Sequence, residues 1–171
     1  MSFRDRLAFD PSAGRYQDGA IRYMMIRPDA FMGILHELPE ARRPEVLEAM
    51  ARSITKQGGK SARSYQAMGA QAPAALLSVI AETAPQLGWG IWAFSELHGE
   101  GFQLGVRGSP FAEGFGAADH PVCAPISGML QAIGPMVLGG PVQAVETECA
   151  AMGAAECQFQ VARVRDQEPG A

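Results

Sequence analysis

The pattern of apolar and polar residues predicts a chain with helices in its first half and most of its strands in the second. A short apolar run at residues 21–26 predicts a strand, after which apolar residues recur every three to four positions. A first helix is predicted to begin at Pro28 and a second to span residues 44–57. The pair Gly58 and Gly59 is predicted to end the second helix, because glycine favours helix C-termini.

The period of the pattern changes near Gly88. In residues 73–84 apolar residues still recur at helical spacing, and Pro73 suits the first turn of that helix. Residues 89–98 and 102–106 then alternate between apolar and polar and predict a hairpin. Ser109 and Pro110 predict a turn that opens a loop. A helical turn is also predicted at residues 60–69 and a helix at residues 121–134. Two closing strands are predicted at residues 142–146 and 156–164.

Grouped helices and grouped strands indicate an α+β domain built on an antiparallel sheet, because parallel sheets need alternating strands and helices. The sequence contains no internal repeat, low-complexity tract or linker that would divide the chain. We therefore predict a loosely packed N-terminal extension at residues 1–20, a single domain at residues 21–165 and a disordered tail at residues 166–171.

Composition narrows the class of protein. The 171 residues are 47% hydrophobic and 19% charged, which is typical of a globular domain with a real core. A net charge of −4 argues against a nucleic-acid surface, which needs a basic face. No apolar run is long enough for a membrane span, and the first residues lack the apolar region of a signal peptide. An odd cysteine count without an export signal predicts a reducing, cytoplasmic location.

The three cysteines gather in the last third of the chain, close to two carboxylates. Cys149 and Cys157 follow Glu146 and Glu148, and Cys123 lies 23 residues before Glu146. Three thiolates and a carboxylate suffice for a tetrahedral site, and thiolates select Zn²⁺ over hard cations. In a continuous strand Glu146 and Cys149 would point to opposite faces, so a shared ion requires the chain to leave the strand between them. Glu148 lies on the same face as Glu146 and is the alternative ligand.

The same part of the chain resembles the 4-vinyl reductase (4VR) domain family. The stretches that match are Phe102 to Pro110, His120 to Cys123, Gly128, Val145 to Cys149, Gly153, and Cys157 to Phe159. The family takes its name from a protein of bacteriochlorophyll synthesis. It supplies the sensor domains of aromatic-responsive transcription activators and is similar to a Golgi-transport subunit fold. The resemblance implies an antiparallel sheet with helices mainly on one face, and a homodimer.

The resemblance also implies a metal ion. Sensor members of the family hold Zn²⁺ with three cysteines and a glutamate at this spacing, which favours Glu146 over Glu148. The implied ligands are Cys123, Glu146, Cys149 and Cys157. With four protein ligands no position is left for water, so the zinc is expected to be structural. A catalytic zinc with one displaceable ligand is the alternative.

The aromatic residues near the predicted hairpin are candidates for a ligand pocket. They are Tyr65, Trp89, Trp92, Phe94, His98 and Phe102. Ligand sites are mostly apolar cavities with a few placed polar groups, and methionines would add flexible lining. For the tyrosine, the tryptophans and the phenylalanines, core packing is the alternative interpretation, and for His98 the alternative is a solvent-exposed hairpin tip. Related sensor domains bind phenols through a tryptophan and a histidine, but spacing does not assign those two positions here.

The leading hypothesis is a zinc-containing domain that binds a small apolar or aromatic molecule, in sensing or ligand delivery. A second hypothesis is a tetrapyrrole carrier or accessory protein of (bacterio)chlorophyll synthesis, and a third is a scaffold subunit without ligand. An enzyme is less expected, although a vinyl reductase acting on a chlorophyll precursor would fit the family name. The sequence shows no nucleotide-binding motif that would hold a hydride donor.

Overall fold

The computed structural model describes residues 2–98 and 100–164. The helices are α1 (Phe3–Arg6), α2 (Pro28–Gly33), α3 (Arg43–Ala67), α4 (Pro73–Gln86), α5 (Pro110–Phe115) and α6 (Ala124–Leu138), with 3-10 turns at Glu40–Arg42 and Ala150–Met152. The strands are β1 (Ala8–Asp10), β2 (Arg15–Asp18), β3 (Ile21–Tyr23), β4 (Ile91–His98), β5 (Gly101–Arg107), β6 (Val142–Glu148) and β7 (Cys157–Arg163).

The strands form two antiparallel sheets, which confirms the predicted α+β class. A small sheet has the order β1-β2-β3, and the main sheet has the order β4-β5-β7-β6. The two central strands of the main sheet each bury alternate side chains, among them Leu104 and Val106 on β5 and Phe159 and Val161 on β7. Helix α6 packs against β6 and β7, and α4 packs against β4. The core therefore lies between the main sheet and the helices.

Helix α3 does not end where the glycine pair predicted. It continues through Gly58 and Gly59 to Ala67 and is 25 residues long. Gly58 faces α6, where a Cβ would lie 2.9 Å from the terminal carbon of Met129. Close packing of the two helices thus offsets the poor helix propensity of glycine. Neither α3 nor any other helix in the described part of the chain is long and apolar enough to cross a membrane.

The first residues form short elements within the predicted N-terminal extension. Residues 3–18 form α1, β1 and β2, and Phe3 is buried against the edge of Tyr23. A capping box of Ser2 and Asp5 starts α1. Arg6 pairs with Asp18 on β2, which ties α1 to the small sheet. These elements are too short to show a clear period in the sequence. The predicted C-terminal tail lies outside the described residues.

Two further differences concern the segment between β5 and β6. The predicted loop after Ser109 contains α5, because the Ser109 hydroxyl accepts a hydrogen bond from the Ala112 amide and Pro110 occupies the first turn. Helix α6 begins at Ala124 and continues past Pro135, ending at a left-handed Gly139. The two closing strands lie within one or two residues of their predicted positions.

Candidate metal centre and ligand cavity

Four side chains converge at the end of the main sheet where β6 ends and β7 begins. One ligand atom each of Cys123, Glu146, Cys149 and Cys157 lies within 4.8 Å of the other three. The three cysteines are at most 1% exposed, and the sulfurs of Cys123 and Cys157 are 3.6 Å apart. Tetrahedral geometry with Zn–S bonds of about 2.3 Å places two sulfurs about 3.8 Å apart. The spacing therefore fits a metal ion bound between them.

The elements around the centre explain why these residues meet. Cys123 occupies the N-cap position of α6, and Cys157 is the first residue of β7. The pairing of β6 with β7 shifts register between Glu146 and Glu148, as in a β-bulge. The chain thus leaves regular strand geometry before Cys149, as a shared site requires. Glu146 joins the three cysteines, whereas Glu148 is exposed.

Hydrogen bonds orient the four groups. The Cys123 amide donates to Glu146 Oε2 at 2.9 Å, and the Ala150 amide donates to Cys157 Sγ at 3.3 Å. Ser109 Oγ lies 3.1 Å from Cys123 Sγ. The second carboxylate oxygen, Glu146 Oε1, is buried without a hydrogen-bond partner among the described residues. A buried polar atom without a partner is costly, and a bound cation would satisfy it.

The charges of the centre are unbalanced within the protein. Burial, reinforced by the Cys149 sulfur, raises the pKa of Glu146 to about 8. The thiols of Cys123 and Cys157 donate to Cys149 and lower its pKa, while the Cys149 sulfur and burial raise the pKa of Cys123. Burial and the neighbouring sulfur thus disfavour negative charge on Glu146 and Cys123. No lysine or arginine of the described residues forms an ion pair with Glu146. A divalent cation would supply the missing positive charge.

A cavity of about 640 Å³ lies between α3, α4, the small sheet and the start of β4. Of the six predicted pocket residues, Tyr65, Trp89 and Trp92 line it. Phe94 packs edge-to-face on Trp92, and Phe102 is a core residue only 2% exposed, so neither is among the lining residues. The side chain of His98 lies outside the described residues.

Several cavity residues were not found from the sequence. Tyr23 comes from the end of the small sheet and Thr83 from α4, whereas Met24 and Met129 agree with the expectation that methionines add flexible lining. Met129 also belongs to an apolar helical stripe, for which core packing was predicted. Nothing in the sequence relates Tyr23 to Met24, Thr83 or Met129. Ser109, which contacts the metal centre, lay in a predicted turn. These residues meet only because of the tertiary packing.

Similar folds occur in solved structures. The phenol-responsive sensory domain of the transcription activator PoxR, solved with phenol, has a TM-score of 0.79 at 18% identity, covering 96% of this chain and 88% of that chain. A vinyl-4-reductase family protein from Methanocaldococcus jannaschii has a TM-score of 0.55 at 12% identity, covering 85% and 100%. A trafficking protein particle complex subunit 3 from Naegleria fowleri, covalently bound to palmitic acid, has a TM-score of 0.56 at 11% identity, covering 81% and 95%. At these identities the likeness establishes a shared fold.

Sequence comparison agrees with the structural one. A search of curated protein sequences gave no significant match. The model of the V4R domain family matches residues 102–163, from β5 to the end of β7. That region contains all four residues of the candidate metal centre. Residues 102–163 therefore match the V4R domain family, which confirms the resemblance to the 4-vinyl reductase family.

Proposed function

We propose that this domain binds a small apolar or aromatic molecule in the cavity beside α3 and α4. The observation that carries the proposal is the cavity itself, about 640 Å³ with a mainly apolar lining. Ligand pockets have volumes of about 300–1,000 Å³, with apolar walls and a few polar groups. The domain would act in sensing or ligand delivery, with a partner that responds to the bound state.

The aromatic wall of the cavity supports this function because it is already ordered. Trp92 donates its indole N–H to the Trp89 carbonyl oxygen at 2.9 Å, which fixes its orientation. Trp89 meets the ring of Phe111 edge-to-face at 5.1 Å. The two indoles, tilted by 49° to each other, both line the cavity. A ligand would thus meet preorganised apolar surfaces, which lowers the entropic cost of binding.

The PoxR sensory domain supports the same proposal by its bound phenol. Its fold matches over 96% of this chain. An aromatic ligand is therefore the first class to test. The tetrapyrrole hypothesis stays a prediction and belongs in the same test.

We also propose that the metal centre holds a structural Zn²⁺ ion. Cys123, Glu146, Cys149 and Cys157 offer a soft donor set with one oxygen, which Zn²⁺ accepts. All four positions would be filled by the protein, so the ion would link α6 to the β6–β7 end rather than bind a reactant.

Ligand binding is tested by titration with phenol, naphthalene and a porphyrin, using tryptophan fluorescence and, for the porphyrin, its Soret band. We expect micromolar binding of at least one aromatic compound. Ala84→Leu, which narrows the cavity, should weaken binding, whereas Ala74→Leu on the exposed side of α4 should not. Binding that is equally strong in Ala84→Leu would contradict this site. A porphyrin shift that disappears in Ala84→Leu would favour a tetrapyrrole carrier instead.

The metal is tested by mass spectrometry of the purified protein and by thiol titration before and after chelation. We expect one zinc per chain and three thiols that react only after chelation. Absence of metal together with three freely reactive thiols would refute the zinc proposal without bearing on the cavity.

A further inference from the structure

We infer that Gly58 and Met129 together set the largest apolar ligand that the cavity admits. Gly58 leaves room for the Met129 thioether against α3, and a side chain at residue 58 would turn that thioether into the cavity. The inference rests on the proposed function, because it assigns the selection of ligands by size to two residues that line the same cavity.

The backbone of α3 does not require a glycine at residue 58. Gly58 lies in the interior of a 25-residue helix, and it is not among the glycines with a positive φ. Glycine is unfavourable at such a position, because it loses more conformational freedom than alanine when the helix forms. The reason for a missing side chain therefore lies in the surroundings of residue 58.

The thioether of Met129 occupies the space beside Gly58. A Cβ on Gly58 would lie 2.9 Å from the terminal carbon of Met129 and 3.0 Å from its sulfur. Carbon atoms in favourable contact are about 3.5–4.0 Å apart, so an alanine at residue 58 would have to displace this side chain. Gly58 is buried and Met129 is half-buried, and both line the cavity.

The two helices cannot move apart to absorb that displacement. Gly128 directly precedes Met129, and a Cβ on Gly128 would overlap backbone atoms of Ala51 on α3. The hydroxyl oxygen of Thr55, also on α3, lies 3.0 Å from the Gly128 carbonyl oxygen. These contacts hold the backbones of α3 and α6 together one residue before Met129. The flexible, unbranched methionine side chain is therefore the part that moves.

The direction of the movement decides which ligands are affected. The space that adjoins both Gly58 and Met129 is the cavity, so the displaced thioether would move into it. A long ligand that reaches Met129 would then overpack the site, whereas a short ligand could bind in the remaining space. The upper limit on ligand size thus depends on residue 58 and acts through Met129.

The test compares toluene with pentylbenzene, which differ in chain length and carry no polar group. Binding is followed by the fluorescence of Trp89 and Trp92, which line the cavity. We expect Gly58→Ala to weaken the binding of pentylbenzene about tenfold and the binding of toluene less than about threefold.

The neighbouring glycine provides a matched control. Gly59 is also buried in α3, but it is not among the described residues that line the cavity, and a Cβ there would meet only the end of Arg63 at 3.5 Å. Gly59→Ala should keep both affinities.

A double-mutant cycle tests whether the effect acts through Met129. Met129→Ala removes the thioether, so adding Gly58→Ala to that variant should change the affinity for pentylbenzene by less than about threefold. Methyl NMR of the methionines is a second readout, which needs neither a ligand nor a folded Met129→Ala variant. The Met129 methyl resonance, identified with Met129→Leu, should shift in Gly58→Ala and stay in place in Gly59→Ala.

Several results would overturn the inference and leave the proposed function intact. They are an unchanged affinity for pentylbenzene in Gly58→Ala, an equal loss for both alkylbenzenes, the same loss in the Met129→Ala background, and an unshifted Met129 methyl resonance. A Gly58→Ala variant that does not fold would also overturn it, since Met129 would not have yielded. If neither alkylbenzene binds the unmodified protein, the inference fails. The proposed function fails with it only if phenol, naphthalene and the porphyrin do not bind either.

Discussion

At the scale of single residues, Glu146 and Glu148 allow a direct comparison of a candidate metal ligand with a nearby carboxylate outside the cluster. They stand two positions apart on β6, but only Glu146 enters the cysteine cluster. Its buried Oε1 atom has no described protein partner, which suits a metal ligand. Among the four residues of the candidate centre, Glu146 therefore gives the most direct indication of a bound cation.

We predict that Glu146→Gln lowers the zinc content and the melting temperature, because it removes a charged ligand from a buried site. Glu148→Gln has the same chemistry at an exposed position and should change neither. Metal analysis and thermal unfolding of the two variants measure the difference. Equal zinc content in both variants would show that Glu146 is not a ligand.

Ser109 has two roles that a second pair of variants can separate. Its hydroxyl caps α5 through the Ala112 amide and lies beside the Cys123 sulfur. Ser109→Ala should lose about 0.5–2 kcal/mol of stability as a lost cap. It should also weaken zinc binding by about tenfold or more, as removal of an outer hydrogen-bond partner does.

Ser2→Ala is the control for Ser109→Ala, since Ser2 caps α1, which contacts α4 and β2. It should reduce stability without changing zinc affinity. Competition of each protein with a chromogenic zinc chelator gives the affinities. If both variants bind zinc as tightly as the unmodified protein, the Ser109 hydroxyl has only a capping role.

At the scale of elements, the contact between α3 and α6 determines how the helical layer packs. A Cβ on Gly128 of α6 would overlap the carbonyl oxygen and Cα of Ala51 on α3. Backbone atoms cannot move aside as a flexible side chain can. On α3, by contrast, a Cβ on Gly59 would meet only the end of Arg63 at 3.5 Å.

We predict opposite effects for two glycine substitutions. Gly128→Ala should destabilise the protein by about 1–3 kcal/mol, because overpacking forces the helices apart. Gly59→Ala should be neutral or stabilising by up to about 1 kcal/mol, because alanine has the higher helix propensity. Urea unfolding of both variants measures the free energies. A neutral Gly128→Ala would mean that the two helices are not in close contact.

At the scale of the whole molecule, the candidate metal centre brings together residues from separate parts of the domain. Cys123 occupies the N-cap position of α6, whereas Glu146, Cys149 and Cys157 lie at one end of the β6–β7 pair. The three cysteines lie in the buried core at the end where α6 and β7 begin. Metal removal should therefore weaken one end of the domain more than the rest.

We predict that chelation lowers the melting temperature by roughly 10 °C, since a loss of several kcal/mol shifts a domain of this size by that much. Amide exchange should rise first at residues 121–124 and 146–157, while α3 and α4 stay protected. Hydrogen-exchange mass spectrometry with and without chelator provides the comparison. A uniform rise along the chain would contradict a local structural role.

The homodimer implied by the family resemblance is a further prediction for the whole molecule. Light scattering should give twice the chain mass of 18.2 kDa. A mass of one chain would refute the dimer.

The sequence predicted the elements best where the period was long and regular. Leu76, Leu77 and Ile80 are buried on α4 as their helical spacing indicated, and Phe102 alternates with Leu104 on β5 as a strand requires. Prediction failed where local signals competed with packing. Gly58 and Pro135 signal helix ends, yet both lie inside helices because neighbouring elements stabilise the continued turns.

The sequence by itself determined the α+β class, the two hairpins of the main sheet and the donor chemistry of the candidate metal centre. These follow from local periodicity and from residue type. Only the tertiary structure decided that the bulge in β6 brings Glu146 rather than Glu148 to the cysteines. It alone brought Tyr23, Tyr65 and Trp89 into one cavity. Contacts between residues far apart in the chain leave no periodic trace in the sequence, because they depend on how whole elements pack.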